Sequence, residues 1–392
     1  MKARQRQLRP LEGLWLAAAV VLLVASVGAV DKDKSYTIVG GGGTALRDFV
    51  SDAVGNATQD ANYKGLYLPF YTVGTGAGQQ GFLNNTYQYA IGDFPLSKKD
   101  YDSAQRPILQ IPISFGPVVI IANLTPEFHA SNTLQLSAPV TAAIFQGNIT
   151  TWDDPAILAI NPNLTKLQPP IPAGTKINVV GRSDSNAAAY AFSQWLAQAS
   201  NGTWVLGVNK TLPTSPGVKV VTGGSNVTNY LLKTPFSIGY TDAYAGKKAK
   251  LPDAALQNEA GKFVRYSKAN WTFPGVNITI PAPTADWSKF NLTNLPGDKT
   301  YPVVTTSILL TNNDLTGRET RGAAQKAVFG YLLGPAVQGA ARSYEQFPLN
   351  NQFLNASLSA VNSIQVIESK DFFQADQLPK LGAPYNVNFQ YN

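Results

Sequence analysis

Residues 36–50 read YTIVGGGGTALRDFV, and the order of residue types in this stretch decides the fold class. Residues 36–39 are β-branched or aromatic, which favours a strand, and residues 40–43 are four glycines, which favour a tight turn. Apolar side chains then recur at helical spacing, at Leu46, Phe49, Val50, Ala53 and Val54. A strand, a glycine turn and a helix in this order are typical of a parallel α/β unit.

The same order of elements recurs twice along the chain. Residues 65–78 predict an extended segment that ends in a VGTGAG loop, with a helix from Gln79. Residues 177–186 predict a strand followed by a GRSDSN turn, and residues 187–199 predict a helix. Further strands are predicted at residues 90–92, 108–111, 118–122, 236–240 and 303–310.

Two other segments complete this outline. Asp153 and Asp154 precede Pro155, an order that predicts the start of a helix. Residues 252–299 are richer in Pro, Asn and Gly and show weak periodicity, so we expect a loop-rich surface insertion there. The chain as a whole is predicted to be an α/β protein.

The N-terminal segment has the pattern of a secretory signal peptide. Basic residues precede an apolar run over residues 14–30, and small residues end it, which predicts cleavage near Ala29 and a signal peptide over residues 1–29. A short membrane anchor is the alternative. We therefore expect a secreted, extracellular protein.

Charge argues against a nucleic-acid partner. The formal net charge of the 392-residue chain is +7, but Lys2, Arg4, Arg6 and Arg9 contribute strongly to it, and they belong to the leader. No dense run of Lys and Arg with interleaved aromatic residues follows, so nucleic-acid binding is not expected.

Glycosylation sequons are unusually frequent. Composition alone gives roughly four Asn-x-Ser/Thr sites, whereas the chain has twelve. They begin at Asn56, Asn84, Asn123, Asn148, Asn163, Asn201, Asn209, Asn226, Asn270, Asn277, Asn291 and Asn355. The excess predicts a glycosylated surface, with a simple bias towards Asn and Thr in loops as the alternative.

The residue inventory predicts neither an enzyme nor a cofactor. The chain has no cysteine and one histidine, His129, which we expect to be a solvated residue in a polar loop. One histidine and no cysteine are too few ligands for a typical zinc site, and we find no Ser-His triad. The glycines at 40–43 also lack the Gly-Lys-Ser/Thr ending of a nucleotide P-loop.

The glycine turns indicate anion binding instead. Thr44, Thr75 and Asn186 each stand where a helix is expected to begin, and helix N-termini present unpaired N–H groups and the positive end of a dipole. In an open α/β sheet such turns lie at the carboxyl ends of strands, where ligands bind. Arg182 supplies a cation near one of them.

The order of these motifs resembles the phosphate-binding proteins of ABC uptake systems. The resemblance runs from about residue 36 to about residue 314. The motifs that match the family are GGGT at 41–44, VGTG at 73–76, IGDFPLS at 91–97, WDDPAI at 152–157, NPNL at 161–164, VGRSD at 180–184 and IGY at 238–240.

The resemblance implies a two-lobed type II periplasmic-binding-protein fold. Each lobe is expected to be a mixed, mostly parallel sheet flanked by helices, and two crossing strands near residues 119–122 and 305–309 form the hinge. Lobe 1 is expected to comprise residues 36–120 and 306–392, and lobe 2 residues 121–305. A membrane transporter or an extracellular assembly partner is implied as well.

It also implies roles for individual residues. Thr44, the Ala45 amide and Thr75 would hold a phosphate ion, and Arg182, oriented by Asp184, would supply the charge. Asp93 would accept a proton from the ligand, which favours protonated phosphate over unprotonated sulphate.

One departure from the family pattern leaves a second hypothesis open. After Arg-x-Asp the family usually continues with Gly-Ser-Gly-Thr-Ser, whereas this chain has Ser185, Asn186, Ala187, Ala188 and Ala189. The Asn186 side chain is expected to donate a hydrogen bond, as are the backbone amides of Asn186, Ala187 and Ala188, but Ala188 has no hydroxyl. The alternative function is a structural or adhesive glycoprotein on a binding-protein scaffold.

Overall fold

The computed structural model describes residues 36–59, 66–213, 215–318 and 320–367. The predicted signal peptide, residues 1–29, lies outside the described residues. Among those that are described, no helix has both the length and the apolarity needed to cross a bilayer.

The strands form one large sheet and two small ones. In chain order they are β1 Tyr36–Thr37, β2 Gly40–Gly42, β3 Leu66–Tyr67, β4 Phe70–Thr72, β5 Tyr89–Gly92, β6 Ile108–Asn123, β7 Gln135–Leu136, β8 Asn178–Arg182, β9 Val218–Val221, β10 Ser237–Asp242, β11 Ala255–Gln257, β12 Phe263–Val264 and β13 Val304–Asn312. The large sheet has the order β4-β2-β5-β13-β6-β10-β8-β9.

Helices flank this sheet. They are α1 Arg47–Gln59, α2 Thr75–Leu83, α3 Lys98–Ser103, α4 Pro126–Ser131, α5 Ala138–Phe145, α6 Pro155–Ile160, α7 Ala187–Ala199, α8 Gly224–Lys233, α9 Ala243–Lys248, α10 Thr320–Leu332, α11 Pro335–Ala340 and α12 Asn351–Asn362. The architecture is the predicted two-lobed α/β fold. We call the side of the sheet with β4, β2 and β5 the first lobe, and the side with β10, β8 and β9 the second lobe.

The long strand β6 joins the two lobes. Its first part pairs antiparallel with β13, up to Pro117 opposite Val304, and its last part pairs antiparallel with β10, from Val118 opposite Asp242. The runs at 108–111 and 118–122, predicted as separate strands, are therefore one strand. Nearly every residue of β6 is buried, which explains why its sequence is mostly apolar rather than alternating, with Gln110 and Ser114 as buried polar exceptions.

Three predicted boundaries between turns and regular elements were wrong. Gly40–Gly42, predicted as a turn, is the strand β2, because it has neighbours on both sides and needs small residues. A Cβ on Gly42 would lie 1.7 Å from the carbonyl oxygen of Ile91. Helix α2 begins at Thr75 rather than Gln79, and β8 includes Gly181 and Arg182, which were predicted to be in the turn.

Other local predictions are confirmed. Helix α7 spans residues 187–199 as expected, and Asp154 caps α6 by accepting the N–H of Ala156 at 2.9 Å. The five apolar residues that predicted α1 are all buried. Residues 252–299 are rich in loops, but they are not only surface, since Trp271 and Trp287 are buried.

Candidate functional site

A cleft of about 880 Å³ lies between the lobes, at the carboxyl ends of strands from both. All nine residues predicted to bind the ligand line it: Thr44, Ala45, Thr75, Asp93, Arg182, Asp184, Asn186, Ala187 and Ala188. The structure therefore brings together residues that are up to 144 positions apart, counted from 44 to 188.

The first lobe contributes two helical starts. A short 3-10 turn, Thr44–Leu46, follows β2, and Thr44 is exposed to the cleft. Thr75 is the first residue of α2 and is buried, and its hydroxyl oxygen accepts the backbone N–H of Asp93 at 3.3 Å. The hydroxyl proton of Thr75 is thus available for an acceptor in the cleft.

Asp93 follows β5 and is 5% exposed. Its Oδ1 accepts a hydrogen bond from the Ser307 hydroxyl on β13 at 2.7 Å. Burial raises the pKa of Asp93 to about 7, the Ser307 hydrogen bond acts against that rise, and the charge of Asp242 adds to it. The carboxyl of Asp93 is therefore poised to exchange a proton near neutral pH.

Arg182 ends β8 in the second lobe and is 4% exposed. Its Nε donates to Asp184 Oδ1 at 2.7 Å, and its Nη2 donates to Asp184 Oδ2. Burial acts to raise the pKa of Asp184, but hydrogen bonds from Arg182 and from the N–H of Gly223 lower it overall. Within the described part of the chain Nη1 of Arg182 has no acceptor, so a buried guanidinium keeps donors for an anion.

Asn186 caps a helix instead of facing a ligand with its amide. Its Oδ1 accepts the N–H of Ala189 at 2.8 Å, and its Nδ2 donates to the carbonyl of Asp184 at 2.7 Å. Both ends of the side-chain amide thus have protein partners, and the backbone N–H of Asn186 donates to the carbonyl of Lys210 at 2.8 Å, so the predicted donation from Asn186 to an anion needs these hydrogen bonds to break. Among the described residues, the N–H groups of Ala187 and Ala188 have no partner.

Asp242 is a cleft residue that the sequence analysis missed. It ends β10 and caps α9, with Oδ1 accepting the N–H of Ala245 at 2.9 Å. Burial raises the pKa of Asp242, opposed by the hydrogen bond from Ala245 and the charge of Arg182. The available signal was an acid just after the predicted strand at residues 236–240, whereas Asp93 was singled out by the IGDFPLS motif.

The two lobes touch on either side of the cleft. Phe94 of the first lobe packs on Tyr190 of the second, with ring centroids 5.4 Å apart, and Lys210 Nζ lies 4.3 Å above the Phe94 ring. At the mouth, Lys248 Nζ is 3.2 Å from Asp48 Oδ2. These contacts describe lobes drawn together around the cleft.

The histidine has a different place from the one expected. His129 lies in helix α4 and is half-buried, and its Nε2 accepts the N–H of Leu124 at 3.1 Å. Burial lowers the pKa of His129, which fits a neutral ring in this accepting role. In the part of the chain that the structure describes, no three His, Cys, Asp or Glu side chains form a group that could hold a metal ion.

Comparison with known proteins decides the family. A model of the PBP superfamily domain matches residues 28–333. The phosphate-binding protein PstS 2 of Mycobacterium tuberculosis is 31% identical over 377 residues, covering 89% of this chain and 96% of that protein. This chain belongs to the phosphate-binding protein family.

Solved structures agree on the fold of this family member. A phosphate-binding protein from Stenotrophomonas maltophilia superimposes with a TM-score of 0.62 and 17% identity, covering 83% of this chain and 94% of that one. A periplasmic phosphate-binding protein (PfluDING) solved with phosphate bound gives the same TM-score at 17% identity, covering 84% and 99%. Both likenesses support the two-lobed fold.

Proposed function

We propose that this chain binds inorganic phosphate in the cleft between its lobes, without carrying out a reaction on it. The observation that carries the proposal is the buried guanidinium of Arg182, whose Nη1 has no protein acceptor in the described chain. Hydrogen bonds between charged groups are about twice as strong as neutral ones, so an anion that accepts from this guanidinium stabilises the closed cleft.

The remaining donors suit a tetrahedral oxyanion. The Thr44 and Ala45 turn and the Thr75 hydroxyl face the cleft from the first lobe, and the N–H groups of Ala187 and Ala188 face it from the second. Donors from two lobes can surround a small ion once the lobes close, which excludes water and strengthens each hydrogen bond.

Asp93 gives the proposal its selectivity for phosphate. Phosphate carries at least one proton at neutral pH, and sulphate carries none. A buried carboxylate therefore accepts a hydrogen bond from phosphate but repels sulphate.

The test is a calorimetric titration of the purified protein with phosphate and with sulphate at near-physiological salt. We expect phosphate to bind at least roughly a hundredfold more tightly than sulphate. Asp93→Asn is expected to reduce this preference, while Asp102→Asn, the same change at an exposed ion pair with Lys98, leaves it unchanged.

Equal affinity for the two ions, or binding of neither, contradicts the proposal. An unchanged preference in Asp93→Asn contradicts only the role of Asp93. An anion-free cleft would favour the alternative function, a structural or adhesive glycoprotein, for which the changed loop at Asn186 and the many sequons argue.

The proposal extends to location and partners. We propose a secreted protein whose lobes are residues 36–120 with 306–392 and residues 121–305, and which passes phosphate to a membrane transporter. Most sequon asparagines are accessible to a glycan, since the following are exposed: Asn56, Asn84, Asn148, Asn163, Asn201, Asn226, Asn277 and Asn355. Glycan mapping by mass spectrometry of the native protein tests this part.

A further inference from the structure

Two carboxylates face the cleft from opposite lobes in the same manner. The protein fixes Oδ1 of Asp93 with the Ser307 hydroxyl at 2.7 Å. Its Oδ2 lies 2.9 Å from the point that a Cβ on Gly43 would occupy, beside the turn that begins at Thr44. One oxygen of Asp93 is thus held by the protein, and the other is turned towards the proposed anion site.

Asp242 repeats this arrangement in the second lobe. Its Oδ1 accepts the Ala245 N–H at 2.9 Å, while its Oδ2 has only a long contact, 3.4 Å, with the Thr241 hydroxyl. Oδ2 lies 3.5 Å, and Nη1 of Arg182 3.3 Å, from the point that a Cβ on Gly224 would occupy. The free oxygen of Asp242 and the free donor of Arg182 therefore border the same small volume.

The charges around this volume disfavour a dianion that carries no proton, such as sulphate. Asp184 already pairs with Arg182, and the pKa of Asp242 is raised by burial although the charge of Arg182 lowers it, so Asp93 and Asp242 leave an excess of negative charge in the cleft. Apart from Asp93, Arg182 and Asp184, the charged or titratable residues that line this cleft with Asp242 are Arg47, Asp48, Tyr244 and Lys248, and Asp48 pairs with both Arg47 and Lys248. The charge of Asp242 raises the pKa of Asp93, so the two acids interact across the cleft.

We propose that Asp242 couples phosphate binding to protons, by accepting a hydrogen bond from the second hydroxyl of the dihydrogen phosphate monoanion opposite Asp93. This inference rests on the proposed function. A monoanion with two hydroxyls offers one hydrogen bond to each carboxylate and leaves its other two oxygens for Arg182 and the backbone amides. The hydrogen phosphate dianion has one hydroxyl, so one of the two carboxylates must itself take up a proton or repel the ligand.

Proton coupling also follows from the lobe arrangement. Asp93 belongs to the first lobe and Asp242 to the second, so closure brings two like charges together in a site shielded from water. A proton shared through the ligand removes that repulsion. The affinity for phosphate should therefore increase as the pH falls from about 8 towards neutrality, because in this range the closed complex binds more protons than the free protein and free ligand.

The experiment measures phosphate binding by calorimetry from about pH 6 to about pH 8, in buffers with different heats of ionisation, so that the protons taken up per phosphate are counted. We expect proton uptake in the wild type at the upper end of this range. In Asp242→Asn we expect roughly one proton fewer per phosphate, and an affinity ratio between about pH 7 and about pH 8 that is about tenfold smaller.

An increase in sulphate affinity in Asp242→Asn would distinguish a direct role of Asp242 in the cleft from a purely structural role. Asp242→Asn removes a negative charge from the cleft, so its affinity for sulphate should increase at least a fewfold, which a damaged fold would not produce. Asn also caps helices well. Asp154→Asn is the matched control, since Asp154 caps α6 away from the cleft, and it should behave as the wild type does.

The outcomes are distinguishable. If the wild type binds phosphate and Asp242→Asn keeps the same proton count and the same affinity for sulphate, the inference about Asp242 is overturned and the proposed function stands. If the wild type binds no phosphate at any pH, both are overturned.

Discussion

Two arginine–aspartate pairs in this molecule share a bidentate geometry, but the arginine is the buried partner in one pair and the aspartate is the buried partner in the other. In the cleft, the Arg182 side chain is 5% exposed and its partner Asp184 is 31% exposed. Outside the cleft, the Arg265 side chain is 39% exposed and Asp253 is 9% exposed. In both pairs Nε and Nη2 donate to the two carboxylate oxygens.

The difference shows what each pair stabilises. An exposed arginine that satisfies a buried aspartate removes the cost of that carboxylate, and both groups are then satisfied. A buried arginine whose aspartate faces solvent keeps its charge in the interior, with Nη1 facing the cleft. Which of the two partners is buried therefore distinguishes a structural pair from a pair that can bind an anion, although the hydrogen bonds within the two pairs are alike.

Removing each arginine is the strongest test of this distinction. Arg182→Met should lower the affinity for phosphate by roughly a hundredfold or more, because it deletes the charge and the donors that face the ligand. Arg265→Met should leave the affinity for phosphate within about twofold of the wild type but lower the free energy of unfolding by roughly 2–3 kcal/mol, because it leaves the buried carboxylate of Asp253 without its partner. Calorimetric titration and urea unfolding of both variants measure the two effects.

The comparison fails if the effects are reversed or equal. A loss of phosphate affinity in Arg265→Met as large as that in Arg182→Met would mean that both act through the fold. Arg182→Lys sharpens the result, because lysine keeps the charge but cannot fork onto Asp184, and an intermediate affinity is expected.

The sequence predicted those parts of the fold that side chains encode. Helix α7 and the cap at Asp154 carry strong local signals, namely an apolar stripe and an Asp-Pro start. Strand β2 carries none, because its glycines are required by close neighbours: a Cβ on Gly40 would lie 2.2 Å from the Tyr89 ring. Contacts of that kind are set by tertiary packing and cannot be inferred from local propensity.

The predicted site shows the same limit. Thr44, Thr75, Asp93 and Arg182 were chosen by motif, and the structure places them around one cleft. The use of the Asn186 side chain as a cap depends on the carbonyl of Asp184 and the N–H of Ala189, whose positions a sequence does not give. Asp242 was missed because its relevance comes from facing Asp93 across two lobes.

Ala188→Ser tests the second-lobe donors that stand beside Arg182, with a smaller expected effect. Ala188 is 7% exposed and lines the cleft, and the added hydroxyl can donate to an anion held by its own N–H. We expect the affinity for phosphate to increase about fivefold, which corresponds to one hydrogen bond of about 1 kcal/mol. Ala199→Ser at the other end of α7 is the control, and an equal gain in both variants would contradict a direct contact.

The smallest effect is expected at a third ion pair, Lys248 with Asp48, which spans the mouth of the cleft. The Lys248 side chain is 55% exposed and that of Asp48 is 27% exposed, so neither charge is fully desolvated and salt screens their attraction. Lys248→Met should weaken phosphate binding only about twofold at low salt, and the difference should vanish at high salt. Lys98→Met breaks an exposed pair within one lobe and should change nothing. A loss of more than about tenfold in Lys248→Met would show that the exposed pair at the mouth contributes to phosphate affinity as the buried Arg182 does. Burial of the arginine would then no longer distinguish the anion-binding pair from the other ion pairs.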